Sequence, residues 1–377
     1  MIDCISFHQA LSAAGLGLYA GVPDSLLKEI CACITDQSPE GAHIIAANEG
    51  AAVALASGSY LATGKPGMVY MQNSGYGNTV NPLLSLADPK VYSIPMLLMI
   101  GWRGEPGIKD EPQHVKQGEV TLELLDVMGI PYEILPTETE SAIQTMNQLV
   151  AQAMERHGPV AMIVRKNTFE KYESKSSQEK TWDLTLRRER AIGIILEEID
   201  AQVAIVSTTG MASREIFEYR ASRRQGHHRD FLTVGSMGHC SQIAMGVAVS
   251  NKGQHVCCID GDGAVIMHMG SLAITGQYRG GNLLHIILNN GKHDSVGGQP
   301  TVGFEIDIPA IALACGYEDA VSVTSEQEIR DAVKKASSSG QLTLIEIRVL
   351  PGARSDLGRP STTPIQNRDA FMSHLQD

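Results

Sequence analysis

The sequence predicts an α/β protein made of two doubly wound, mostly parallel-sheet domains. Three features carry that reading. Apolar runs of strand length recur along the chain, and several are continuously apolar, as parallel strands covered on both faces require. Segments with helical spacing separate them, the alternation of an α/β fold. A polar break near the middle divides the 377 residues into halves. Each half is large enough for one sheet, against a prior of roughly 150 residues per domain.

In chain order, the first half reads as a helix over 6–14, a strand over 43–47, a helix over 51–62 and strands over 67–72 and 96–100. Helices over 121–128 and 141–157 and a strand over 161–165 complete it. The strand over 96–100, Met-Leu-Leu-Met-Ile, has no polar residue, as expected for a parallel strand covered on both faces. The second half reads as strand 203–207, helix 240–250, strand 255–260, helix 270–278, strand 284–289, helix 326–338 and strand 343–348. Between them, residues 167–186 are expected to be a linker, because 167–179 is polar and carries the run Glu173-Ser174-Lys175-Ser176-Ser177-Gln178-Glu179. The domains are therefore placed at 1–166 and 187–377. No sequence repeat relates the halves, and no low-complexity tract is present.

Composition excludes several classes. Hydrophobic residues are 43% and charged residues 19%, which fits full cores and argues against long disorder. The chain carries 30 basic and 42 acidic residues, a net charge of −12, with no basic stripe, so no nucleic-acid partner is expected. No membrane partner is expected either, because the most apolar stretch, 94–100, is too short to span a bilayer. The first residues lack the pattern of a secretory signal. Seven scattered cysteines do not form a disulfide framework and read as buried thiols. Together these point to the cytoplasm.

The chemistry concentrates between Cys257 and Gln299. One apolar strand ends in Asp260-Gly261-Asp262-Gly263-Ala264, and the next ends in Asn289-Asn290-Gly291-Lys292. Both ends fall on the carboxyl edge of the sheet, where α/β proteins bind ligands. Asp262 offers a carboxylate, Asn290 a side-chain carbonyl and Lys292 a backbone carbonyl, an oxygen set suited to a hard divalent cation that bridges a diphosphate. Gly261 and Gly263 let the backbone approach phosphates. Asp-Gly and Asn-Gly are also ordinary turn pairs, but two of them, each closing an apolar strand, favour the metal reading. Rival phosphate motifs fail. A dinucleotide fingerprint from Gly261 needs Gly or Ala where Ile266 stands, and Gly64-Lys65 runs into Pro66. Gly15-x-Gly17-x-x-Ala20 follows a helical segment and leads into Val22-Pro23, so it lacks the strand–turn–helix context.

With Gly261-Asp262-Gly263 and Asn289-Asn290 at this separation, the chain resembles the thiamine-diphosphate-dependent enzymes. Glu49, in Ala46-Ala47-Asn48-Glu49-Gly50, is similar to the glutamate that contacts the cofactor's pyrimidine ring. Gly235-Ser236-Met237-Gly238 resembles the turn whose apolar side chain bends the cofactor, and Thr208-Thr209-Gly210 resembles a loop that holds it. Further segments point to the phosphonopyruvate decarboxylase family. They are Gly21-Val22-Pro23-Asp24-Ser25-Leu26, the stretches 70–78, 81–83 and 101–118, His293-Asp294-Ser295-Val296-Gly297-Gly298-Gln299, and 354–360. The likeness runs from Gly21 to Pro360. Sulfopyruvate decarboxylases, often split over two chains, are close relatives, and fusion of both halves favours the phosphonate family.

The resemblance implies thiamine diphosphate and Mg2+ as cofactors and an anionic 2-oxo acid as substrate. The reaction would be the decarboxylation of 3-phosphonopyruvate to phosphonoacetaldehyde. It puts the pyrimidine end on the first domain and the diphosphate and magnesium on the second. It also implies a homodimer or higher homo-oligomer with active sites at the subunit interface. Glu49 would move the proton that activates the cofactor. Asp24, His114, His293 and Asp294 are candidates to protonate the product. Asp24 reads equally as the cap of a helix starting near Ser25, and His114 reads as part of an active-site loop. Ser25, Arg103, Lys109, Lys116, Arg354 and Arg359 are candidates for the anionic tail, as is Lys292. Two alternatives stand beside this reading: the same chemistry on sulfopyruvate, and a cofactor-binding scaffold without catalysis.

Overall fold

Two six-stranded sheets, all of whose pairings are parallel, organise the computed structural model, which describes residues 1–174 and 183–376. The chain divides into the units Met1–Lys180 and Thr181–Asp377. The first sheet contains β1 (Leu18–Gly21), β2 (His43–Ile45), β3 (Gly67–Gln72), β4 (Met96–Gly101), β5 (Tyr132–Ile134) and β6 (Pro159–Val164). The second contains β7 (Ala204–Ser207), β8 (Asp230–Leu232), β9 (Val256–Gly261), β10 (Leu283–Asn289), β11 (Asp319–Val323) and β12 (Thr343–Arg348).

The strand orders are β2-β1-β3-β4-β6-β5 and β11-β12-β10-β9-β7-β8. Numbered within its own half and read from the other edge, the second order is the same as the first. The halves thus share one topology although no sequence repeat relates them. In each, the chain steps outward from the first strand to the second and then crosses to the third. The gap between first and third strands is the switch point at which doubly wound sheets leave a crevice.

Period-two side chains give each sheet two cores. In the first unit, Met68, Tyr70, Leu97 and Met99 pack on one face with Phe7, Ile30 and Met146. Val69, Met71, Leu98 and Ile100 pack on the other with Val53, Ala56 and Leu125. The second unit repeats the arrangement, with Cys257, Ile259 and Ile286 on one face and Cys258 and Ile287 on the other. All cysteines but Cys315 are buried. Among the described residues no helix is long and apolar enough to cross a membrane.

The apolar strands lie within two residues of expectation at either end. The short edge strands β5, β8 and β11 were not expected, nor was β1, whose Ala20 and Gly21 have weak strand preference. The expected linker over 167–186 lies partly outside the described residues. Its described ends belong to the units: Phe169 packs edge-on against Phe7 with ring centres 5.5 Å apart, and Leu186 joins the second unit's core. Asp24 does not cap a helix. The helix is Lys28–Gln37, and its cap position is Leu27. His114 lies in the helix Pro112–Met128 rather than in a loop, because Pro112 starts the helix early.

His43, at the start of β2, bonds the Tyr70 hydroxyl through Nε2 at 2.8 Å and the Thr35 hydroxyl through Nδ1 at 3.2 Å. Burial pushes its pKa down to about 4, and nearby His8 adds to this. The unfolded chain therefore takes up a proton near pH 6.5 that the folded unit refuses until about pH 4. Stability at His43 is complete above pH 6.5 and falls as pH drops through that window. Urea unfolding should show wild type losing on the order of 2 kcal/mol more than His43→Gln between pH 7 and pH 5.

Candidate active site

The carboxyl ends of β7, β9 and β10 enclose a cleft of about 610 Å3 including its mouth. Thr208 and Thr209 follow β7, Asp260 to Ala264 bridge the end of β9 and the next helix, and Asn290 to Val296 follow β10. Asp262 is buried and opens the short helix Asp262–Met267. The Thr301 hydroxyl donates to its Oδ2, and the amides of Asn290 and Gly263 also point at the carboxyl. Burial pushes its pKa up to about 6, and these neutral donors offset the rise only in part. Asn290 donates from Nδ2 to Asp294 Oδ2 at 2.7 Å and accepts at Oδ1 from the Lys292 amide at 3.0 Å.

These residues fit a divalent cation and a diphosphate. The candidate ligands are all oxygens, and Asp262 is a buried carboxylate whose donors are all neutral. A cation is the group that would complete its charge. The glycines keep the floor low. A Cβ at Gly263 would sit 3.0 Å from the His293 ring and 3.4 Å from Met237 Cε. His293, Met237 and Asp262 therefore meet around one bare backbone position. Burial pushes the His293 pKa down to about 4, so its ring is neutral at pH 7. Met237 lines the cleft from a turn in which Ser236 has φ 53° and Gly238 has φ 86°. Gly238 has no room for a side chain, since a Cβ would lie 2.4 Å from His268. Gly210, with φ 94°, turns the chain from β7 into the helix Met211–Ser222. Gly235, Ser236 and Gly210 shape loops at this edge without lining the cleft itself.

A second polar cluster occupies the same edge of the first sheet. Glu49 is 5% exposed and is the first residue of the helix Glu49–Thr63, capped by Asn48, which accepts from the Ala51 amide at 2.9 Å. Asn78 Nδ2 donates to Glu49 Oε2 at 2.7 Å, and Gly75 lies so close that a Cβ there would sit 2.5 Å from Oε1. A solvated glutamate is thus excluded. At the switch point, Gln72 at the end of β3 donates to Asp24 Oδ1 at 2.6 Å, just beyond the end of β1. Asp24 is fully buried. Burial pushes its pKa up, and Gln72, the Leu26 amide and Arg103 offset this in part. Its carboxylate lies over the bare end of β4: a Cβ at Gly101 would be 2.1 Å from Oδ2.

Arg103, just past β4, donates from Nη1 to Ser25 Oγ at 2.9 Å and forks through Nε and Nη2 onto Asp110. Asp110 also receives the Gly104 amide at 2.9 Å, the Glu111 amide at 2.7 Å and His114 Nδ1 at 2.9 Å. Burial alone would push the Asp110 carboxyl up, but these donors outweigh it and hold the group well below the usual carboxylate range. With Nδ1 donating, a neutral His114 keeps its acceptor at Nε2.

The structure therefore brings Asp24, Ser25, Arg103 and His114 together in one unit, and Asp262, Asn290, Lys292, His293 and Asp294 together in the other. It separates the remaining cations from those clusters. Lys109 is exposed, and Lys116 is exposed and pairs with Glu119 at 3.2 Å. Arg354 is engaged by Glu189, Glu218 and Asp356, and Arg359 is exposed beyond it. Asp110, Gln72, Asn78, Thr301 and Arg188 are hydrogen-bond partners of these candidates that the sequence reading did not single out. Asp110, Gln72 and Asn78 lie inside segments that carried the family resemblance. Thr301 and Arg188 had no signal.

Comparison with known proteins agrees with this geometry. The model for the thiamine pyrophosphate enzyme N-terminal TPP binding domain matches residues 6–127, and that for the C-terminal TPP binding domain matches residues 208–347. The chain is thus a thiamine-diphosphate-dependent enzyme. It is 34% identical over 388 residues to phosphonopyruvate decarboxylase of Streptomyces viridochromogenes, covering 100% of this chain and 95% of that protein. Phosphonopyruvate decarboxylase of Streptomyces hygroscopicus is also 34% identical, covering 97% and 92%. Sulfopyruvate decarboxylase of Methanosarcina acetivorans is 28% identical, covering 91% and 90%. The chain belongs to the phosphonopyruvate decarboxylase family, and it is a carboxy-lyase of the phosphonopyruvate and sulfopyruvate decarboxylase type.

Asp110 ties the loop after β4 to the helix that carries His114. Asp110→Asn turns an amide N–H toward donors that need an acceptor. It should cost about 1–3 kcal/mol in urea unfolding, and the His114 ring 15N shifts should show loss of the Nδ1–H bond.

Proposed function

We propose that this protein catalyses magnesium-dependent, non-oxidative decarboxylation of 3-phosphonopyruvate to phosphonoacetaldehyde and carbon dioxide. The observation that carries the proposal is 34% identity across the whole chain to two phosphonopyruvate decarboxylases, against 28% to the sulfopyruvate enzyme. Fusion of the halves does not discriminate, because that sulfopyruvate relative is also matched over nearly all of one chain. Sulfopyruvate is therefore the second reading, carried by the same polar edge. An inactive scaffold is set aside by membership of a carboxy-lyase family.

When bound, thiamine diphosphate supplies the carbon that adds to the 2-oxo group and takes up the electron pair left by carbon dioxide. The chain's residues supply position and protons. Asp262, Asn290 and the Lys292 backbone carbonyl hold magnesium. Thr208, Thr209, the bare backbone at Gly261 and Gly263, and the backbone at Ala264 receive the diphosphate. Met237 supports the ring system from its strained turn. Glu49, fixed by Asn78, holds a proton at its carboxyl for the pyrimidine ring nitrogen. Asp24, whose burial favours the protonated acid, delivers a proton to the product, with His114 Nε2 and neutral His293 as its companions. Arg103, aimed by Asp110 and joined to Ser25, binds the anionic tail. The proposal includes a homodimer or higher homo-oligomer in which one site takes Glu49 and Asp262 from different chains.

Metal-stripped protein should release aldehyde and carbon dioxide from phosphonopyruvate only when thiamine diphosphate and magnesium are both added. Faster turnover of sulfopyruvate would overturn the substrate assignment. Glu49→Gln should lower kcat at least ~100-fold, and near-wild-type turnover would sink the proton role. Mixing inactive Glu49→Gln and Asp262→Asn chains should restore measurable activity. No recovery after subunit exchange would remove the shared site.

A further inference from the structure

Asp294 Oδ2 collects three donors. Asn290 Nδ2 lies 2.7 Å away, Arg188 Nη1 2.9 Å and the Gly352 amide 2.9 Å. Arg188 is buried and forks onto buried Glu215 at 2.9 and 3.1 Å. Its Nη2 also reaches the Gly352 carbonyl at 3.4 Å. Helices Arg188–Glu198 and Met211–Ser222, the loop after β10 and the segment after β12 thus meet at one ion-pair cluster. It lies against the cleft, whose lining includes Arg188, Asn290 and Asp294.

A carboxamide has two ends of opposite chemistry that a half-turn exchanges. A carboxylate only accepts hydrogen bonds, so the end of Asn290 facing Asp294 must be the NH2 group. The carbonyl oxygen is thereby turned the other way. There it accepts from the Lys292 amide at 3.0 Å and keeps a second lone pair. A hard cation needs that oxygen, and a reversed amide would offer it N–H groups instead.

We propose that Asp294, held in place by Arg188, is a positioning residue that sets the Asn290 carboxamide so that its oxygen is offered to the divalent cation. This rests on the function proposed above and replaces proton transfer as the role of Asp294. Its Oδ2 is engaged by three donors, and the arginine behind it is shared with Glu215. A buried ion pair gives little net stability, because desolvation offsets the attraction. What the cluster supplies is orientation of a ligand, the work that outer partners do at metal sites.

The test uses Mn2+ as the probe, titrated into the full-length protein with thiamine diphosphate present, with free Mn2+ read by electron paramagnetic resonance. Asp294→Ala leaves Arg188 paired with Glu215 and so should fold, which urea unfolding without cofactor would verify. It should weaken Mn2+ binding ~10–100-fold, while kcat returns toward wild type at saturating cation. Asp294→Asn retains an oxygen for the Asn290 NH2 and should lose less affinity. Equal Mn2+ affinity in wild type and Asp294→Ala would overturn this inference and leave the proposed function standing. A kcat deficit that saturating cation does not repair would overturn it in favour of a direct role in turnover. Failure of wild type to bind Mn2+ with thiamine diphosphate would overturn the proposed function and this inference together.

Discussion

A parallel strand covered on both faces can bury side chains but cannot present them, so chemistry is confined to the places where such strands end. In both units the faces are filled by apolar side chains from alternate positions. The candidate site residues sit at carboxyl ends: Asp24 beyond β1, Glu49 after β2, Gln72 ending β3 and Arg103 after β4. Thr208, Asp262 and Asn290 stand likewise after β7, β9 and β10. Bare glycines at these ends make the approach possible. Gly101 lets Asp24 lie across β4, and Gly263 lets His293 and Met237 meet beside Asp262.

The carboxylates at these edges differ by what faces them. Asp262 and Asp110 are the same residue type with opposite shifts. Neutral donors around Asp262 do not match the cost of burial. Asp110 already has its countercharge in Arg103 and is a finished structural joint. Asp24 resembles Asp262 in its burial and upward shift, but the charge of Arg103 nearby offsets part of that rise. Environment, rather than residue type, sets the direction of each shift.

The long apolar strands were legible because their composition admits no other burial. The expected strands over 67–72 and 343–348 coincide with β3 and β12. The short edge strands were not, since β5 and β11 are only partly buried and carry no continuous apolar run. The helix Arg188–Glu198 was also hidden. Ala191 to Leu196 are all buried, so it lacks the one-sided pattern that marks a surface helix. The shared topology of the halves left no trace in sequence because parallel packing asks only for apolar volume, which many sequences supply.

The family was readable from sequence alone, from the loop segments around Asp262 and Asn290 and the segment around Glu49. Chemistry of that kind demands particular residue types at turns next to apolar strands, and those are local features. What only the tertiary structure decided is which groups stand opposite one another. Arg188 meets Asp294 across 106 positions, and Thr301 meets Asp262 across 39. Asp110, seven positions from Arg103, is drawn onto it by a loop closure that spacing does not encode. Those pairings depend on the order in which strands lie side by side, and they determine which cations are already engaged by carboxylates.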